Sequence, residues 1–128
     1  MPYDEREKEN ELERRVNGTR SLSFCLRRIK MGKLERDFQA NLIKDIKDRF
    51  KGCIVLKNDC RYIQGIPDLT VFYGDKWAVL ECKKSKDEPH RPNQDYYIKK
   101  MNKMSYASFV FPENKEEVLN EMERSFKS

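Results

Sequence analysis

Histidine is almost missing from this chain, with His90 the only one in 128 residues. Its four cysteines, Cys25, Cys53, Cys60 and Cys82, form no C-x-x-C pair, so their spacing builds neither a zinc knuckle nor a dithiol redox motif. No apolar run approaches the roughly 20 residues that span a bilayer. The opening stretch MPYDEREKENELERR also lacks the apolar core of a signal peptide. A disulfide framework would need secretion, so reduced, mostly buried thiols are expected instead. Together these absences predict a cytoplasmic protein that does not enter a membrane.

What is present is charge. Charged residues make up 38% of the chain and hydrophobic residues another 38%, enough apolar material for a packed core rather than a disordered polymer. The net charge of +5 is unevenly spread, because residues 1–15 hold six acids and four bases and leave residues 16–128 at +7. A basic body suits a polyanionic partner, most often nucleic acid. The length allows one domain and perhaps an arm.

Along the chain, residues 1–31 read as an arm of one or two helices, with Leu22, Cys25, Leu26 and Ile29 at helical spacing before Gly32. Residues 32–128 read as the folded domain. Leu34, Phe38, Leu42, Ile43, Ile46 and Phe50 make one stripe, which predicts a helix stopped near Gly52. Cys53-Ile54-Val55-Leu56 reads as a buried strand, followed by a polar loop through Asn58. A hairpin follows, then a helix from Pro92 with Tyr97, Ile98, Met101 and Met104 inward, a strand at residues 107–111, and a last helix after Pro112. Asn114 and Glu117 have the spacing of a capping box. The predicted order is α-β-β-β-α-β-α, an α/β fold with a mixed central sheet flanked by helices.

The hairpin, GIPDLTVFYGDKWAVLECK over residues 65–83, carries the chemistry. A two-residue turn at Gly74-Asp75 pairs Tyr73 with Lys76, and counting outward pairs Leu69 with Leu80 and Asp68 with Glu81. Facing side chains stand about 4.5–5.5 Å apart, where two like charges destabilise the sheet unless something lies between them. A divalent cation answers that repulsion. Strand alternation puts Lys83 on the face of Glu81, and the carbonyl of Cys82 lies near the same sheet end. Oxygen ligands of this kind suit Mg²⁺ or Mn²⁺ better than zinc. Read one at a time, Asp68 is a polar strand entry and Glu81 with Lys83 a solvated edge; only the register joins them.

Gly65-Ile66-Pro67-Asp68, then Glu81-Cys82-Lys83, then Gln94 at the start of a helix, resembles the PD-(D/E)XK nuclease superfamily. Its virus-type replication-repair nuclease (VRR-NUC) branch, which is Holliday-junction-resolvase-like, is the most similar. The resemblance spans roughly residues 33–111 and implies a restriction-endonuclease-like core. It further implies that Asp68 and Glu81 hold Mg²⁺ or Mn²⁺, with the Cys82 carbonyl as a further ligand and Glu35 as a direct or water-mediated one. Lys83 would orient the attacking water and steady the phosphate charge, and Gln94 would brace the lysine or the substrate. Asp37 competes with Glu35, but the two lie about 200° apart around a helix, so only one can face the hairpin. Glu35 shares a side with Gln39 and Leu42, which favours it, while an acid in a first helical turn also serves the helix dipole.

Lys84, Lys86, His90 and Arg91 follow Lys83 directly. In a charged loop they would be solvated; beside a phosphate-cleaving centre they become DNA contacts whose binding weakens with salt. The expectation is a Mg²⁺-dependent DNA endonuclease, structure-selective for branched or junction DNA. As the resemblance implies, it would work as a homodimer and serve DNA recombination or repair in a phage or mobile element. A sequence-selective nicking or homing-type endonuclease is the enzyme alternative. The other is a DNA-binding module on a nuclease-like fold that does not cut.

Overall fold

The stripe from Leu34 to Phe50 winds into helix α1, Lys33–Arg49, in a computed structural model that describes residues 33–128. Leu42 and Ile46 are fully buried, and each contributes about 1.5–3 kcal/mol by leaving water. Leu34, at the helix start, is instead 80% exposed, since the first turn extends beyond the sheet-facing part of the stripe. The arm predicted over residues 1–31, with Cys25, lies outside the described residues.

Strands β1 (Ile54–Lys57), β2 (Leu69–Tyr73) and β3 (Lys76–Cys82) follow, then helix α2 (Pro92–Met104), strand β4 (Tyr106–Val110), a short 3-10 turn at Pro112–Asn114, and helix α3 (Lys115–Lys127). This is the predicted element order. The sheet runs β1-β2-β3-β4, antiparallel through β3, with β4 parallel to β3 and reached by the α2 crossover. The described residues thus form a mixed α/β unit, with three helices on a four-stranded mixed sheet. No helix among the described residues is long and apolar enough to cross a membrane.

One face of the sheet carries the main core. Leu42, Ile46 and Phe50 of α1 and Val118, Leu119, Met122 and Phe126 of α3 close over Leu69, Val71, Ala78, Leu80, Cys82 and Val110. Helix α2 packs on β3 and β4 over the other face, where Val79, Tyr97 and Ala107 are buried. That half-cover corrects the reading of β1 as a buried strand. It is an edge strand, and Ile54 (60% exposed), Leu56 and Phe72 lie on the part of the second face that α2 does not reach. Met104, at the end of α2, is likewise exposed rather than inward.

The capping box at Asn114 also needs correction. Its Oδ1 accepts the Phe111 backbone N–H at 2.8 Å and its Nδ2 donates to the Phe109 carbonyl at 3.2 Å, so the side chain serves the 3-10 turn behind it. Among the described residues Cys53, Cys60 and Cys82 form no disulfide; Cys82 is buried, while Cys53 and Cys60 are only half-buried, short of the burial expected for most of the thiols.

Tyr106 of β4 donates its hydroxyl proton to Glu121 Oε1 of α3 at 2.6 Å. Burial, with that carboxylate beside it, pushes the phenol well above its ordinary value of 10.0. Unfolding in strong alkali therefore releases a proton that the folded chain keeps, and stability falls as pH rises above the unfolded value. Tyr106→Phe is expected to flatten that fall. Urea midpoints measured on either side of the ordinary phenol value would show it, and an unchanged slope would count against the assignment.

Candidate active site

Gly74 has φ +64°, the left-handed conformation that a two-residue hairpin turn needs at its first central position. The turn sets the predicted register: Tyr73 pairs with Lys76, Val71 with Ala78, and Leu69 with Leu80. Asp68 precedes Leu69 and Glu81 follows Leu80, so both stand just beyond that outermost pair. Asp68 Oδ2 accepts the backbone N–H of Cys82 at 2.8 Å, which ties the carboxylate to the end of β3. The loop that delivers Asp68 is pinned by Asn58. Its backbone N–H donates to the Asp68 carbonyl at 2.8 Å, and its Nδ2 donates to the Pro67 carbonyl and to Thr70 Oγ1, both at 2.8 Å.

Leu80 and Cys82 point into the main core, so strand alternation sends Glu81 to the other face, beneath the start of α2. Glu81 is fully buried there, a costly place for a carboxylate that is not hydrogen-bonded. Its Oε2 accepts Gln94 Nε2 at 3.0 Å. Gln94 Oε1 in turn accepts from Lys83 Nζ at 2.8 Å and from the backbone N–H of Arg91 at 3.0 Å. The two donors on Oε1 and the carboxylate at Nε2 leave one sensible orientation for the amide. Gln94 thus caps the N-terminus of α2 and links Glu81 to Lys83.

Lys83 is nearly as buried, at 3% exposure. Besides Gln94, its ammonium donates to the Pro89 carbonyl at 3.2 Å and pairs with Glu88 Oε2 at 3.5 Å. Phe109, opposite Glu81 in the parallel register with β4, lies beneath the His90 ring, stacked at 3.8 Å. His90 Nδ1 sits 3.0 Å from Asp95 Oδ1, so the ring is fixed in plane and direction. Lys84, Lys86, His90 and Arg91 are all exposed along the segment that leaves β3.

Asp68, Glu81, Lys83 and Gln94 therefore meet at one sheet end. Glu35 is half-buried in the first turn of α1, and among the described residues no group of three or more His, Cys, Asp or Glu side chains is gathered so that it could hold a metal ion. The carboxylates at this sheet end are those of Asp68 and Glu81, both oxygen donors. That set fits Mg²⁺, which is commonly held by one or two carboxylates and keeps much of its water.

No family model, curated protein or solved structure matches this chain. The site therefore stands on its own geometry. Four participants carried no signal in the sequence: Asn58, Gln64, Glu88 and Asn93. Asn93, one residue before Gln94, is fully buried and donates Nδ2 to the Gln64 carbonyl at 2.8 Å, joining the Asp68 loop to the start of α2. Gly65, which the sequence shows only as the first residue of the hairpin stretch, leaves the space into which the Asn93 side chain fits.

Proposed function

We propose that this protein is a Mg²⁺-dependent deoxyribonuclease with a restriction-endonuclease-like core, acting as an endonuclease on branched or junction DNA. The observation that carries this reading is Gln94 joining buried Glu81 to buried Lys83, with the Asp68 carboxylate held on the Cys82 N–H between them. Two carboxylates and one buried ammonium, side by side next to an exposed basic segment, suit the hydrolysis of a phosphodiester. The order α-β-β-β-α-β-α around a mixed sheet supports the same core.

Asp68, Glu81 and the Cys82 carbonyl would hold the cation. When bound, Mg²⁺ supplies a lower pKa for a coordinated water and polarises the phosphoryl oxygen. Lys83, oriented by Gln94, donates an N–H to the phosphate as charge builds there, and works in a largely water-free setting where that interaction is strong. Lys84, Lys86, His90 and Arg91 grip neighbouring phosphates. The uncovered apolar strip of Ile54, Leu56 and Phe72 is consistent with a homodimer, which cutting of two strands would use.

The purified full chain, incubated with Mg²⁺ and a panel of linear duplex, flap and four-way-junction DNAs, is expected to cut the branched forms, with binding that weakens steeply as salt rises. Light scattering on the same sample should report a dimer. Binding without cutting would make the protein a DNA-binding module and overturn the enzyme reading. Cutting of one linear sequence alone would favour the homing-type alternative.

A further inference from the structure

The Lys83 ammonium has three oxygen partners: it donates to Gln94 Oε1 at 2.8 Å and to the Pro89 carbonyl at 3.2 Å, and it forms an ion pair with Glu88 Oε2 at 3.5 Å. A substrate phosphate that needs Lys83 must take the place of one acceptor. Gln94 is locked by Arg91 and Glu81, and Pro89 offers backbone. Glu88 is different. It carries the same sign of charge as a phosphate, its side chain is 19% exposed at the rim, and its contact with Lys83 is the longest of the three. Glu88 Oε1 accepts the Lys84 N–H at 2.8 Å and its own N–H donates to the Ser85 carbonyl at 3.3 Å. The carboxylate therefore stands on a turn closed by contacts within residues 84–88, outside the sheet ladder.

We propose that Glu88 occupies the place of the substrate phosphate on Lys83, as an internal anion that a polyanionic substrate displaces. The inference rests on the nuclease reading for the identity of that substrate. In the absence of substrate, Glu88 answers the charge of an almost fully buried lysine, which would be costly alone. The segment that holds Glu88 also holds Lys84, Lys86, His90 and Arg91. A nucleic-acid backbone that engages several of these cations can draw the turn outward and release Lys83. A lone phosphate or mononucleotide engages too few. Glu88 thus acts as a positioning residue that selects chains of phosphates over single ones.

The test uses inorganic phosphate as probe on the full chain without metal, read by the side-chain NMR signal of Lys83, which Lys83→Met identifies. Wild type is expected to bind phosphate feebly. Glu88→Gln, which keeps the shape of the turn, should bind about fivefold more tightly, the factor equivalent to about 1 kcal/mol for a rim ion pair. Lys83→Met added to Glu88→Gln should return binding to the wild-type level, and Glu88→Asp should bind more weakly than Glu88→Gln. Equal affinity of wild type and Glu88→Gln, or a gain that survives Lys83→Met, overturns the proposal. In cleavage, Glu88→Gln should lower KM for short substrates more than for long ones; a loss of kcat/KM would mean that Glu88 holds Lys83 in place, and the proposal fails. Should wild type cut no DNA at all, the nuclease reading fails while the phosphate titration still decides the role of Glu88.

Discussion

Glu81→Gln is expected to leave the protein folded and to reduce Mg²⁺-dependent cleavage by about a hundredfold to a thousandfold, the usual cost of removing one electrostatic group from such a centre. The substitution is chosen for its shape. The new side chain keeps an oxygen that can accept from Gln94 Nε2, so the bridge to Lys83 and the cap on α2 persist. What it removes is one of the two carboxylate charges at the sheet end. Glu81→Ala would be a poorer probe, because it empties a fully buried position and strands the Gln94 amide. The check is a single-turnover cleavage assay run beside a thermal melt. A variant that cuts at the wild-type rate, or one whose melting point Mg²⁺ still shifts as far as it shifts that of the wild type, would show that Glu81 holds no metal in the reaction.

Gly65→Ala should be the most damaging small substitution in the domain. Gly65 has φ +89°, where an L side chain costs about 1–2 kcal/mol. A Cβ there would stand 2.5 Å from Asn93 Nδ2, 2.8 Å from Asn93 Cβ and closer still to Cγ. Asn93 cannot retreat, since it is fully buried and its Nδ2 already donates to the Gln64 carbonyl. Overpacking of this kind adds about 1–3 kcal/mol. The sum corresponds to a loss of roughly 10 °C or more in melting temperature for a domain of this size. Gly74→Ala isolates the two effects: φ is +64°, but nothing lies within 4 Å of the added carbon, so only the backbone cost remains. Urea denaturation of the two variants should separate them clearly; equal losses would mean that the Asn93 contact is not what Gly65 is for. Because the clash pushes the Asp68 loop off the start of α2, Gly65→Ala should also lose metal affinity ahead of global unfolding.

The hairpin was legible because its information is local. A glycine at the turn and strict alternation along two strands fix which residues face each other, and a shift of one residue would have turned Leu69, Val71 and Leu80 out of the core. The order of elements was legible for a similar reason, since apolar periodicity reports which face each segment must bury. Burial of β1 was not legible. An apolar run looks the same whether both faces are covered or one, and only the limited reach of α2 leaves Ile54 and Leu56 exposed.

The sequence by itself determined the hairpin register from Tyr73 with Lys76 to Leu69 with Leu80, the sheet-flanking helices and the basic segment after Lys83, because each follows from turn chemistry, side-chain period or composition over short stretches. Only the tertiary structure decided what those groups touch. Gln94 reaches both Glu81 and Lys83 because the crossover lays α2 over that end of β3. Asn58 and Asn93 hold the Asp68 loop through carbonyls that no pattern marks. Glu88 meets Lys83 because the chain folds back on itself after leaving the sheet. Such contacts depend on the relative placement of elements, which packing of the whole core sets and no local period encodes.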